Sequence, residues 1–148
     1  MNPEPETVIL LKTEYDRMVA EAKKRKPQEA CGLVAGYRKD DGEKVISRVY
    51  ILRNTDESAV HFSLDPKEQL AAVKDMRAGG LSPLGNWHSH TETPSRPSDE
   101  DKRLAYDSRA VYLILSLAEK EPVLSVFHIE DGNARKEILL IEENEEHE

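Results

Sequence analysis

A single cysteine, Cys31, in 148 residues rules out an internal disulfide, and with it the small disulfide-stapled folds; it agrees with a reducing compartment. Nowhere does an apolar stretch approach the ~20 residues that a membrane-spanning helix needs. The opening Met1-Asn2-Pro3-Glu4-Pro5-Glu6-Thr7 lacks the basic region and apolar run of a secretory signal, so a cytoplasmic protein is expected. Positive charge is also in short supply: 21 lysines and arginines against 29 aspartates and glutamates leave a net charge of −8. Such a surface repels nucleic acid phosphates and anionic membranes, and neither is expected as a partner. The one basic run, Lys23-Lys24-Arg25-Lys26, follows a predicted helix, where cations complement the negative end of the helix dipole. There is no internal repeat and no low-complexity linker.

What is present fits one domain, predicted over residues 1–141, with one core and one site. Residues 142–148 are too polar to bury and are expected to form a frayed acidic tail, which removes His147 as a ligand. Thr13 can cap a first helix whose Tyr15, Met18, Val19 and Ala22 follow the spacing of one buried face, with Pro27 beyond its end. Residues 31–37 read as a buried strand, Asp40-Asp41-Gly42 as a tight turn, and Val45 to Leu52 as the returning strand. Asp65-Pro66-Lys67-Glu68 opens a second helix with a cap, a proline at its first position and a glutamate three residues after the cap. Leu70, Val73 and Met76 mark its inner face, and Gly79-Gly80 ends it. A strand from about Leu84 runs into two histidines, and a short helix opens near Ser98. Three strands follow: Val111 to Leu115, then Val123 to Ile129 and Ile138 to Ile141 on either side of the hairpin signal Asp131-Gly132-Asn133. This order predicts an α+β fold, a mixed sheet flanked by helices.

His88 and His90 stand one residue apart at the end of a predicted strand. Alternation of side chains then sends both imidazoles to one face and Ser89 to the other. A hydrolytic zinc site needs three protein ligands and an open position. Asp101 can supply the third, because the proline-bearing turn 94–97 can reverse the chain and a helix from Ser98 puts Asp101 in its first turn. Equally, Ser98-x-x-Asp101 ahead of Leu104 is a helix-capping pair that needs no chemistry, and both readings stand. Other metal patterns fit poorly. Glu92 and Thr93 replace the aspartate and histidine of a metallo-β-lactamase, a cupin's later framing is missing, and an amidohydrolase barrel needs a longer chain. Cys31 reads as a small core residue, Trp87 as a packing residue, and His61 and His128 as structural or surface groups.

The run His88-Ser89-His90, seven residues, Ser98, two residues, Asp101 resembles the signature of the JAMM or MPN-plus metallopeptidases. The upstream Gln28-Glu29-Ala30-Cys31-Gly32-Leu33-Val34-Ala35-Gly36 resembles that family's join between first helix and first strand. The resemblance extends over Arg53-Asn54, Phe62, Asp65-Pro66 and the strand at 111–115, and is strongest to small stand-alone prokaryotic members. It implies a mostly antiparallel sheet of the MPN, cytidine-deaminase-like type. It implies one Zn2+ per chain on His88, His90 and Asp101. It also implies that Glu29 moves a proton from the attacking water to the leaving amine, and that Ser98 donates a hydrogen bond to the oxyanion. Thr91 stands where many members carry proline, as in relatives that process sulfur-carrier proteins.

The implied function is hydrolysis of an amide at the C-terminus of a small ubiquitin-like sulfur carrier of the ThiS or MoaD type, releasing cysteine or a short extension. The carrier's extended tail would lie beside a sheet edge and feed its Gly-Gly end to the metal. The alternatives are a non-catalytic MPN scaffold, which the intact set of five residues argues against, and a zinc hydrolase of small amides.

Overall fold

The computed structural model describes residues 4–58 and 62–143, so the expectations for His61, His147 and residues 144–148 lie outside the described residues. The described chain runs β1 (Thr7–Leu11), α1 (Lys12–Arg25), β2 (Cys31–Arg38), β3 (Lys44–Leu52), α2 (Pro66–Ala78), β4 (Ser82–His90), α3 (Asp99–Arg103), β5 (Val111–Ser116), β6 (Val123–Glu130), β7 (Asn133–Lys136) and β8 (Ile138–Glu142). All the strands join one sheet in the order β7-β6-β5-β4-β2-β3-β1-β8. Strand β1 pairs parallel with β3 and β8, and β4 parallel with β5; the other neighbours are antiparallel. This is the α+β, mostly antiparallel mixed sheet that the sequence led us to expect.

Strand β4, which ends in the two histidines, lies inside the sheet between β2 and β5. On one face Val34, Trp87, Leu113 and Leu115 pack with Met18 and Ala22 of α1 in the largest apolar cluster. Trp87 is fully buried there, and its indole Nε1–H donates to the Tyr50 carbonyl at 3.0 Å. Alternation along β5 sends Tyr112 and Ile114 to the other face, where they pack with Phe127 and Ile129. His88 is paired in register with Ile114 and shares that second face. A strand buried on both sides thus carries its imidazoles away from α1.

Four details depart from the sequence reading. Strand β1 precedes the first helix, and the helix N-cap is Leu11, in extended conformation without a side-chain cap, rather than Thr13. The strand keeps its pairing with β8 as far as Leu11 and passes directly into the helix, so Thr13 already lies in the first turn. Glu14 anchors that turn instead, its Oε1 accepting from the Val49 N–H at 2.7 Å and from Arg17 at 2.8 Å. Helix α2 buries Ala72 and Met76 against Ala35 and Leu52, while Leu70 is 57% exposed. Leu70 sits two residues, about 200° of helical rotation, from Ala72 and points to the opposite side. The chain also carries an extra strand, β7, after a turn in which Asp131 and Gly132 have positive φ values of 51° and 77°. Finally, β8 includes Glu142, one residue into the segment expected to fray. The edges of the sheet are β7 and β8, and β4 with its histidines lies inside it.

Candidate metal centre

Three elements bring His88, His90 and Asp101 together. His88 and His90 come from the end of β4, both nearly buried at 4% and 5% exposure, and Asp101 from the first turn of α3. Between them the chain is turned by residues 91–97, which two serine hydroxyls peg to β5. Ser95 Oγ–H donates to the Ile114 carbonyl, and Ser116 Oγ–H to the Thr93 carbonyl, each at 2.6 Å. The Pro94 carbonyl held in this turn accepts from His90 Nδ1–H at 2.9 Å, which leaves the His90 Nε2 lone pair facing inward.

The inward atoms form a nearly equilateral triangle. His88 Nε2 and His90 Nε2 are 3.1 Å apart, and each lies 3.2 Å from Asp101 Oδ2. An ion bound tetrahedrally through bonds of about 2.0 Å separates its ligand atoms by about 3.3 Å. The triangle therefore has the dimensions of one face of such a coordination shell, and these three residues could hold a metal ion. Two imidazole nitrogens and a carboxylate aimed at one point repel one another unless positive charge lies between them. Burial would raise the Asp101 carboxyl, but in the metal-free protein a proton on the facing imidazole nitrogens of His88 and His90 takes the place of that positive charge, and together with the Ser98 N–H it holds the group far below the usual carboxylate range. For His88, desolvation prevails and lowers its pKa.

Asp101 caps its helix through the same oxygen that faces the two histidines. Its backbone N–H donates to Ser98 Oγ at 3.0 Å while its Oδ2 accepts from the Ser98 N–H at 2.9 Å, a complete capping box. The same Oδ2 faces both histidines. Ser98 is exposed beside the triangle, and although its oxygen accepts from Asp101, its hydroxyl proton remains available to donate.

Glu29 precedes β2 and is 4% exposed. Burial pushes its carboxyl up to about 8; His90 opposes this, while Asp101 and Glu100 add to it, so the glutamate is electrostatically coupled to the triangle. Its main chain is fastened from three directions. Glu29 N–H donates to the Ser58 carbonyl at 2.7 Å, and the Glu29 carbonyl accepts from Asn54 Nδ2 at 3.1 Å. The next residue, Ala30, exchanges hydrogen bonds with Ser89, its N–H to Ser89 Oγ at 2.8 Å and its carbonyl from the Ser89 N–H at 2.9 Å. The residue between the two histidines thereby ties their strand to the glutamate.

Other polar residues read from the sequence stay outside. His128 pairs with Glu130 on β6, and Cys31, although opposite His88 in the sheet register, is buried with its Sγ 3.9 Å from the Leu52 carbonyl. A cavity of about 440 Å³ opens beside the triangle, reaching His88 and Asp101 and walled by Phe62, Leu64, Leu104 and Ile114. Phe62 stacks on the His88 ring, with centroids 4.6 Å apart. Asn54 and Ser89 were assigned no function on sequence, since nothing local distinguishes a loop asparagine or a strand serine that will bond across the fold.

Known proteins resemble this chain over most of its length. A protein of Mycobacterium tuberculosis named CysO-cysteine peptidase is 33% identical over 121 residues, which cover 81% of each chain. A desampylase of Pyrococcus furiosus is 27% identical over 129 residues, covering 81% of this chain and 89% of its own. The solution structure of a Desulfitobacterium hafniense protein has a TM-score of 0.85 at 48% identity, over 93% of this chain and 94% of that one. With the profile of the prokaryotic homologues of the JAB domain matching residues 12–129, a span that includes Glu29, both histidines, Ser98 and Asp101, the chain belongs to that family.

Proposed function

We propose that this protein is a zinc-dependent peptidase that hydrolyses the amide beyond the C-terminal glycine of a small ubiquitin-like sulfur carrier, releasing cysteine or a short extension. The observation that carries the reading is the 3.1–3.2 Å triangle of His88, His90 and Asp101 coupled to the buried Glu29. The names of two relatives, a CysO-cysteine peptidase and a desampylase, support the substrate class. Two imidazoles and one carboxylate with tetrahedral spacing suit zinc, one per chain. When bound, zinc supplies a Lewis acid that acidifies water and polarises a carbonyl.

The chain's own residues do the rest. Glu29, with a carboxyl near 8, both holds and releases a proton close to neutral pH. It takes the proton of the attacking water and returns it to the departing nitrogen, so the amine leaves neutral. The Ser98 hydroxyl donates to the oxygen that gains negative charge. The cavity beside His88 accepts the carrier's tail, and glycine at its end lets the backbone approach the reacting centre closely. The unbridged Cys31 accords with a cytoplasmic site of action, where thiols stay reduced.

Metal analysis of the parent, Asp101→Ala and Glu29→Gln, run beside hydrolysis assays, tests the assignment. The expected result is about one zinc in the parent, loss of zinc in Asp101→Ala, and zinc without hydrolysis in Glu29→Gln. Full occupancy in Asp101→Ala would sink the ligand set. A carrier–cysteine adduct cleaved no faster than a free dipeptide would replace the carrier with a small amide as substrate.

A further inference from the structure

We propose that Asn54 is a positioning residue for the hydrolytic step, one side-chain amide that fixes the backbone of Glu29 and the wall of the substrate cavity as a single unit. The inference rests on Glu29 acting as the proton carrier. Asn54 lies just beyond β3, is 3% exposed, and bonds across the fold through both ends of its amide. Its Nδ2–H donates to the Glu29 carbonyl at 3.1 Å. Its Oδ1 accepts from the N–H of Asp56 at 3.0 Å and from that of Ser63 at 3.1 Å. Ser63 is flanked by Phe62, which stacks on His88, and by Leu64, which lines the cavity and bridges back to Asn54.

A general base must sit within hydrogen-bond reach of the proton it moves, and a misplacement of about 1 Å can reduce turnover about a hundredfold. Glu29 lies in neither a helix nor a strand, so no regular ladder fixes it. Two side chains take over that task. Ser89 holds Ala30 to the strand of the histidines, and Asn54 holds Glu29 to the backbone at Asp56 and Ser63. The amide suits the second role because it offers a donor toward Glu29 and, at its other end, an acceptor for two N–H groups. Aspartate preserves the acceptor and loses the donor, which separates the two functions.

The test compares the full-length parent with Asn54→Asp and Asn54→Ala. In metal-free protein, hydrogen exchange is read at the amides of Glu29, Asp56, Ser63, Ala30 and Ser89. Asn54→Asp removes the bond to the Glu29 carbonyl; the loosened backbone is expected to open the neighbouring Glu29 N–H to Ser58 bond more often and speed exchange at Glu29 about tenfold or more, with Asp56 and Ser63 still protected. Asn54→Ala is expected to release all three, and both variants to keep protection at Ala30 and Ser89. Zinc-loaded variants should retain the parent's metal content and lose about 10- to 100-fold in kcat on a carrier–cysteine adduct, with KM within about threefold. Unchanged Glu29 exchange with unchanged kcat overturns the proposal. So does a loss of kcat accompanied by loss of metal or by faster exchange throughout β2 and β4, since that would mark a general structural role. Should Asn54→Ala not fold, Asn54→Asp alone decides. A parent that cleaves no adduct would defeat the proposed function, and exchange at Glu29 would then judge the Asn54 link by itself.

Discussion

Replacing Glu29 by glutamine should make the metal-free protein more stable while abolishing hydrolysis. The carboxyl is 4% exposed, and burial raises it from 4.5 to about 8. In the unfolded chain it ionises near 4.5, so at pH 7 folding must return a proton to it across two and a half pH units. At 1.36 kcal/mol per unit this costs about 3 kcal/mol. Because the folded value lies above the unfolded one, the penalty is absent below pH 4.5, grows as pH rises, and levels off above about 8 at roughly 5 kcal/mol. Glutamine has the same shape and no proton to recover. Its amide carries one donor more than a protonated carboxyl, so the full penalty is the upper bound of the gain. At roughly 2–4 °C per kcal/mol for a chain of this size, the expected rise in Tm at pH 7 is up to about 10 °C. Chelator-treated parent and Glu29→Gln, unfolded thermally and in urea at pH 5, 7 and 8.5, give the measurement. The two should nearly coincide at pH 5 and diverge progressively above it. If Glu29→Gln is no more stable at pH 8.5 than at pH 5 relative to the parent, burial does not raise the Glu29 carboxyl, and its suitability as a proton carrier near neutrality goes too.

A Cβ at Gly32 would lie 1.7 Å from the Tyr50 carbonyl oxygen and 2.6 Å from the Trp87 indole nitrogen, inside the β2–β3 pairing. Gly32→Ala should therefore cost more than about 3 kcal/mol in urea unfolding or leave no folded protein, and a loss under about 1 kcal/mol would contradict the packing. Met76→Ala should cost about 2–4 kcal/mol because Met76 is buried at 1% exposure, whereas Leu70→Lys should change stability by less than about 0.5 kcal/mol. The reverse ranking would restore the helix face first read from the sequence.

Long, locally signalled elements were legible from sequence, and those defined by distant partners were not. Helix α2 announced itself through Asp65-Pro66 and Gly79-Gly80, and the β6–β7 turn through Asp131-Gly132. Strand β1 is five residues that run straight into a helix with no turn residue between, and both its partners are parallel strands remote in sequence, so nothing local marks its start. Strand β7 is Asn133-Ala134-Arg135-Lys136, an edge strand with no buried residue and no apolar alternation to detect. On α2 the expected Met76 is buried, but Leu70 gives way to Ala72: Leu70 is the more hydrophobic residue while Ala72 is the better fit against Ala35 and Leu52, because periodicity records hydrophobicity and packing also selects for size. For the site, spacing within one short stretch marked the three residues that could hold a metal ion, while Asn54 and Ser89 are drawn in only through bonds that the fold creates.

The most consequential of those spacings is Ser98 to Asp101. On sequence, a helix cap and a metal ligand compete for one carboxylate. In the structure a single oxygen, Oδ2, faces both ways, because the Ser98 N–H approaches it at 2.9 Å while the two imidazole nitrogens approach at 3.2 Å. The cap thus fixes the rotamer that aims the ligand. The return bond from Asp101 N–H to Ser98 Oγ fixes the serine hydroxyl at the same helix end. A helix of five residues has too few internal hydrogen bonds to orient a side chain by itself. The reciprocal capping bonds, together with the turn pegged to β5 by Ser95 and Ser116, are what make so short an element a rigid support. The triangle's near-equal sides follow from that support: β4 delivers two of its corners, and the capped turn delivers the third at the distance an ion requires.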